Sequence, residues 1–322
     1  MARMVIELTN RCNLRCQHCF EQRHAATGDL PLEIIEKVLS EGKSCNIDRL
    51  SFTGGEPTIH RDFRHIVRRV AETGFKFGLV SNGTNFVQTH RVLIEHKQHF
   101  EGITFSLDGA SEGTHDRLRG TGSYRRVLQA AAICTLRDLP FSLNMVLTAQ
   151  NRREVAAMVE LAAGLGSRGL RFGHLMSTPE IGEKGLDLSP AERREVENEI
   201  WHLQKTAAIS VGMAAGYFSE EPFFPCAPLT LKEYNLDCRG NLTLCCQLSG
   251  HSGGTTANDV VGNLHEISLR EACEAFHRRV AIYLADKRAR VDSGRFTELD
   301  HFPCWYCIKY VEKSQSGWTG HT

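Results

Sequence analysis

Three cysteines near the amino terminus, Cys12, Cys16 and Cys19, have the spacing C-x3-C-x2-C, and no fourth cysteine follows closely. Thiolates of this kind are metal ligands, and two centres compete for them. A tetrahedral zinc site wants four ligands, usually in C-x2-C pairs, and His18 could complete one. A four-iron, four-sulfur cube held by only three thiolates keeps one iron open for chemistry. A second group, Cys226, Cys238, Cys245, Cys246, Cys304 and Cys307, gathers in the last third of the chain. Four of these, Cys226, Cys245, Cys304 and Cys307, would saturate either zinc or a cube, and spacing does not decide between the two. Cys45, Cys134 and Cys273 stand alone within helical patterns and read as small buried hydrophobes.

Three further clusters carry polar groups: Gly54-Gly55-Glu56, Ser81-Asn82-Gly83 and Ser106-Leu107-Asp108-Gly109. Paired glycines allow close backbone approach, and Glu56 offers a charge-assisted acceptor to an ammonium. Asn82 and Asp108 could equally make side-chain turns to their own backbone.

These groups need strand ends to hold them. Short β-branched or apolar runs at 4–8, 49–52, 75–80, 102–107, 141–147 and 169–172 read as strands. Amphipathic segments at 31–42, 62–73, 124–136 and 151–165 alternate with them as helices. Asn151 with Glu154, and Ser189 with Glu192, have the spacing of reciprocal helix caps. Six strand–helix units predict an α/β fold, a partial (β/α)6 TIM-like barrel. Each polar cluster then falls at the end of a strand, on the face where barrel enzymes collect catalytic groups.

After the helix Ser189–Lys205 the chain turns to Gly, Pro, aromatic and Cys residues. We therefore expect a barrel over residues 1–208 and a small Cys-rich α+β domain over residues 209–322. Runs at 234–237 and 242–246 flank an Arg239-Gly240-Asn241 turn and predict a hairpin. Ser268 with Glu271 opens a helix to about Ala281.

Over 322 residues, 38 basic side chains balance 38 acidic ones, so no electrostatic grip on nucleic acid or an anionic membrane is expected. The basic run from Arg64 to Arg69 has helical spacing and reads as a solvated face. No stretch approaches the roughly 18 apolar residues needed to span a bilayer, and residues 1–8 lack a signal-peptide h-region. Twelve cysteines without an export signal imply a cytoplasmic protein whose thiols bind metal, because that compartment keeps disulfides reduced.

The run Glu7-Leu-Thr-Asn-Arg-Cys12-Asn-Leu-Arg-Cys16-Gln-His-Cys19-Phe20 resembles the signature of the radical S-adenosylmethionine (SAM) superfamily. The likeness extends as an ordered series of strand-end motifs through most of residues 1–208. It implies a [4Fe–4S] cluster on Cys12, Cys16 and Cys19, whose open iron binds SAM. Reductive cleavage then yields methionine and a 5′-deoxyadenosyl radical that abstracts a substrate hydrogen. By the same resemblance, Gly54, Gly55 and Glu56 hold the methionine ammonium. Ser106 is a SAM contact with Asp108 and Asn82 nearby, Arg119 neutralises the SAM carboxylate, and Asn144 lies close to SAM.

Gly240-Asn-Leu-Thr-Leu-Cys245, Gly262-Asn-Leu-His-Glu266 and the helix from Ser268 are similar to a twitch or SPASM auxiliary-cluster domain. The resemblance makes Cys245 the ligand with Cys226, Cys304 and Cys307, and implies one auxiliary [4Fe–4S] cluster. It leaves Cys238 and Cys246 spare, with Cys246 a candidate hydrogen-atom donor. An external flavodoxin- or ferredoxin-type donor would supply electrons. The implied reaction is oxidation, crosslinking or epimerisation of a peptide or small natural product. His174, Met176 and Phe223, read as lining the lower barrel mouth and matched to no family specificity, are candidate substrate contacts. Maturation of a protein or cofactor is the alternative, and a non-catalytic zinc scaffold is the reading from a different class.

Overall fold

The computed structural model describes residues 1–19, 28–251 and 255–313; Phe20 of the first motif lies outside them. Seven parallel strands run in chain order: β1 (Ala2–Thr9), β2 (Ile47–Gly54), β3 (Lys76–Ser81), β4 (Phe100–Ser106), β5 (Phe141–Val146), β6 (Gly169–Gly173) and β7 (Ser210–Met213). The helices between them are α1 (Leu32–Glu41), α2 (Phe63–Glu72), α3 (Phe86–Glu95), α4 (Glu112–Arg119), α5 (Ser123–Arg137), α6 (Val155–Gly164), α7 (Pro179–Glu183) and α8 (Pro190–Thr206). All six strands expected from the sequence are present. The seventh, β7, pairs with β6 beyond residue 208, where no further strand–helix period was expected.

Period-two alternation explains the hollow centre. On β2 to β5, Phe52, Phe77, Phe105 and Leu143 are buried, and each such side chain contributes about 1.5–3 kcal/mol. The alternate positions Ser51, Thr53, Thr104, Ser106, Ser142 and Asn144 line a central cavity. Barrel interiors are ordinarily filled by branched apolar residues. Small polar side chains at these positions leave this one open.

The sheet continues past β1 into the last third of the chain. β8 (Glu233–Leu236) pairs parallel to β1 and turns back into β9 (Asn241–Thr243), and β10 (Val260–Asn263) pairs antiparallel to β9. The order is therefore β10-β9-β8-β1-β2-β3-β4-β5-β6-β7, open at both ends. The expected hairpin is present, with Gly240 at φ +81 in its turn. Its second strand stops at Thr243, however, and α9 (Cys246–Ser249) follows. A long helix, α10 (Leu269–Asp292), and α11 (Pro303–Tyr310) complete the described chain.

The caps at Ser189 and Ser268 form as the spacing predicts. The Asn151–Glu154 cap does not. Asn151 Nδ2 instead donates to Asp108 O at 3.0 Å and Val146 O at 2.8 Å. Glu154 accepts from Ala110 N at 2.6 Å and Thr114 Oγ1 at 2.5 Å. Both side chains are spent fastening the loop after β4, a long-range demand that local spacing does not reveal.

Candidate active site

Cys12, Cys16 and Cys19 sit on the loop that leaves β1 at the carboxyl-terminal face of the sheet. The glycine pair after β2 clamps this loop from the side. Gly55 N donates to Thr9 O and Glu56 N to Arg11 O, both at 2.8 Å. A Cβ on Gly54 would lie 2.1 Å from Thr9 O, and one on Gly55 the same distance from Arg11 O. The close approach that demands glycine is thus between two protein loops.

Glu56 is completely buried and lies outside the cavity lining. Its carboxylate accepts from Thr58 Oγ1 at 2.5 Å, Thr58 N at 3.2 Å, Ser81 Oγ at 2.9 Å and Asn82 N at 2.7 Å. Burial nonetheless pushes its carboxyl above the usual range. Where the sequence offered this group to an ammonium, the fold uses it to join β2 to β3. Asn82 makes the turn to its own backbone, accepting from Thr84 N at 3.0 Å, and also aims Nδ2 at Cys12 Sγ, 3.7 Å away.

The loop after β4 braces the other side. Asp108 is fully buried, with Oδ1 accepting from Val146 N at 2.8 Å and Oδ2 facing Arg119 Nε and, at 3.2 Å, His18 Nε2. Burial alone would raise this carboxyl, but Arg119 and then His18 outweigh it and hold it well below the usual carboxylate range. Asp108 is therefore a support beneath the site and does not line the cavity. Arg119 does, with Nη1 3.9 Å from Cys16 Sγ. His18 directs Nε2 to the Asp108 carboxylate, and its Nδ1 is buried with no hydrogen-bond partner. Among the described residues no three His, Cys, Asp or Glu side chains converge on one metal ion. A cube takes each thiolate on a separate iron, so its ligands need not converge.

Ser106 and Asn144 are register partners on β4 and β5, and both line the cavity. The same cavity, about 1390 Å³, reaches Cys226, Cys245, Cys304 and Cys307 as well as Cys12, Cys16 and Cys19. An ordinary small-ligand pocket measures about 300–1,000 Å³, so this cavity is larger than one small ligand needs. Burial pushes the Cys226 thiol up to about 12 and Cys307 to about 11, and raises Cys304 well above its ordinary value. Mutual repulsion adds to this: Cys304 feels Cys245, Cys307 and Cys226 in turn. Crowded thiols that resist ionisation are a donor set that a cation would stabilise.

Cys246 also lines the cavity, and its contact with Cys245 is the main influence lowering the latter's thiol. The end of the strand before Cys245 explains this, because strand alternation no longer sends the two side chains to opposite faces. Cys238 is buried outside the cavity lining. His174 and Met176 line the cavity, with His174 Nε2 3.1 Å from Met176 Sδ. Phe223 does not: it packs 4.3 Å from the Arg288 guanidinium in a separate recess of about 460 Å³. Cys134 and Cys273 are buried as expected, and Cys45 is half-buried beside Cys273.

Sequence reasoning missed Tyr283 and Lys287. Both lie on α10 beyond Ala281, where that helix was expected to end. Tyr283 Oη is 3.1 Å from Cys307 Sγ.

No described helix is long and apolar enough to cross a membrane. Over 218 residues the chain is 30% identical to the AdoMet-dependent heme synthase of Methanosarcina barkeri, covering 64% of this chain and 59% of that protein. Over 174 residues it is 28% identical to the PqqA peptide cyclase of Methylocella silvestris, covering 53% and 46%. The chain thus spans about half the length of these curated relatives. Streptococcus suis SuiB bound to precursor peptide SuiA shares the fold with a TM-score of 0.70 at 17% identity, over 84% of this chain and 64% of SuiB. Residues 6–162, which carry the cysteine loop and the braces described above, match the Radical SAM superfamily, a family that implies SAM and a [4Fe–4S] cluster, so this stretch of the chain is a radical SAM domain.

Proposed function

We propose that this chain reductively cleaves SAM and uses the resulting 5′-deoxyadenosyl radical to abstract hydrogen from a peptide, which is then oxidised, crosslinked or epimerised. The observation that carries this reading is the single cavity lined by both thiol sets. A [4Fe–4S] cluster on Cys12, Cys16 and Cys19, when bound, supplies the electron for SAM cleavage. Gly54, Gly55, Ser106 and Asn144, which line that cavity, would bind and orient SAM, and Arg119 would add positive charge beside Cys16. Residues 209–322 contribute Cys226, Cys245, Cys304 and Cys307 as ligands of an auxiliary [4Fe–4S] cluster. Cys246 would donate a hydrogen atom to a substrate radical. A flavodoxin- or ferredoxin-type protein would deliver electrons in a reducing, cytoplasmic setting. Similarity to a peptide cyclase, and of fold to SuiB with its bound precursor peptide, supports a peptide substrate.

The experiment is anaerobic reconstitution followed by iron and sulfide analysis and a SAM-cleavage assay under reductant. About eight irons per chain, with 5′-deoxyadenosine released, is the expected result; two zincs and no cleavage would reject it. Precursor-like peptides should then take up deuterium from solvent or lose hydrogen to the nucleoside. Deuterium uptake unchanged in Cys246→Ala removes that residue as donor. A second reading, maturation of a cofactor, is favoured by the similarity to a heme synthase; turnover of a tetrapyrrole with no peptide turned over would select it.

A further inference from the structure

Two side chains one helical turn apart on α10 pack against α11, the helix that carries Cys304 and Cys307. Tyr283 is 1% exposed, and its hydroxyl lies 3.1 Å from Cys307 Sγ. A metal-bound thiolate has no proton to give, so in that state the hydroxyl must be the donor. Lys287 is 2% exposed, with its ammonium 4.5 Å from the Tyr306 ring centroid, 5.5 Å from Phe296 and 6.0 Å from Phe223. Among the described residues no carboxylate or carbonyl hydrogen-bonds it. The one carboxylate that bears on its charge, Asp300, is held by Lys309 at 3.0 Å and by Thr297. Burial pulls the Lys287 ammonium below its ordinary value, and the thiols of Cys307 and Cys226 oppose that more than Asp300 does.

A buried cation without an ion-pair partner is costly. Packing among aromatic faces recovers part of the cost. A neighbouring anion would recover more, and the four cysteines are where one would form.

We propose that Tyr283 and Lys287 raise the reduction potential of an iron–sulfur cluster held by Cys226, Cys245, Cys304 and Cys307, making it an electron acceptor for the substrate radical. This rests on the auxiliary-cluster reading above. Reduction adds one negative charge to an already anionic cluster. A hydrogen bond to a ligand sulfur and an unneutralised ammonium in a low-dielectric surround both favour the more negative state. One electron leaves the carbon-centred substrate radical and enters the cluster, and the oxidised substrate releases a proton to solvent. Tyr283 and Lys287 are positioning residues here, acting through the cluster and touching no substrate.

The test uses full-length protein carrying Cys12→Ala, Cys16→Ala and Cys19→Ala, so that any cluster present is the auxiliary one. After anaerobic reconstitution, redox titration monitored by electron paramagnetic resonance compares this background with added Tyr283→Phe, Lys287→Met, Lys287→Gln or Lys287→Arg. Tyr283→Phe and the neutral Lys287 variants should each reduce the electron-accepting equilibrium about tenfold, a shift of about 59 mV to more negative potential for one electron. Lys287→Arg should retain the parent value. A four-iron signal with the same potential in every variant overturns the proposal, as does iron loss in both neutral Lys287 variants with Tyr283→Phe unshifted. If the triple-cysteine background takes up no cluster at all, the auxiliary-cluster reading itself falls, a different and separately visible failure.

Discussion

Cys12, Cys16 and Cys19 arrive together on one loop and are braced from outside by β2, β3 and the end of α4, through Gly55, Asn82 and Arg119. Cys226, Cys245, Cys304 and Cys307 come instead from three separate stretches and meet only because the hairpin β8–β9, α10 and α11 pack together. In the first set the backbone makes the cradle, with loop carbonyls so close that two glycines are obligatory. In the second, side chains make it, and the surrounding shell is aromatic: Tyr283 meets Tyr306 and Tyr310 edge-on at 5.7 and 4.7 Å. A local motif held by backbone is sensitive to a single methyl group. A dispersed one is sensitive to helix docking.

The largest effect that would sharpen this contrast is the loss of ligands. Cys12→Ala, Cys16→Ala and Cys19→Ala together should abolish SAM cleavage and halve the iron content. Cys304→Ala should also lower iron yet leave cleavage measurable; loss of cleavage there would make the two sets one functional unit.

Next comes Gly55→Ala, which changes no ligand but drives a methyl into Arg11 O. SAM cleavage should fall about 100-fold, the scale expected of a displacement near 1 Å. Undiminished cleavage would break the claim that backbone approach positions the first set.

Asp108→Asn should cost about 3–5 kcal/mol, because Arg119 is left buried and uncompensated. The sign of the pH dependence follows from the depressed carboxyl. The unfolded chain takes up a proton near the ordinary value of 3.8, and the folded chain only far below it. The stabilisation is thus full above about pH 5 and is lost as pH falls through the acid range. Denaturant midpoints of the anaerobic protein should decline there in the parent and change less in the variant.

The smallest effect is Ser268→Ala, which removes the cap of α10 and should cost about 1 kcal/mol. If the second set depends on helix docking, iron should become more easily chelated there and not at Cys12, Cys16 and Cys19.

Wherever contact partners are close in sequence, the fold was legible. The strand series, the caps at Ser189 and Ser268 and the Arg239-Gly240-Asn241 turn each rest on interactions spanning a few residues. The open lumen is also written locally, in the small polar residues at alternate positions along β4 and β5, namely Thr104, Ser106, Ser142 and Asn144. Partners distant in sequence defeated the same reasoning. Asn151 and Glu154 have a capping spacing but serve Asp108 and Thr114. Glu56 has an acid's availability on paper and none in the fold, since Ser81 and Asn82 reach it first.

By itself, then, the sequence determined a βα barrel with a three-thiol loop at its carboxyl-terminal face, because periodicity and spacing are properties of neighbours along the chain. Only the tertiary structure decided that Asp108 supports Arg119 from below, that Cys246 shares a wall with Cys245, that Tyr283 meets Cys307 and that Lys287 packs on the Tyr306 ring. Hydrogen bonding and burial act through space, and the distances that set them exist only once the chain has folded.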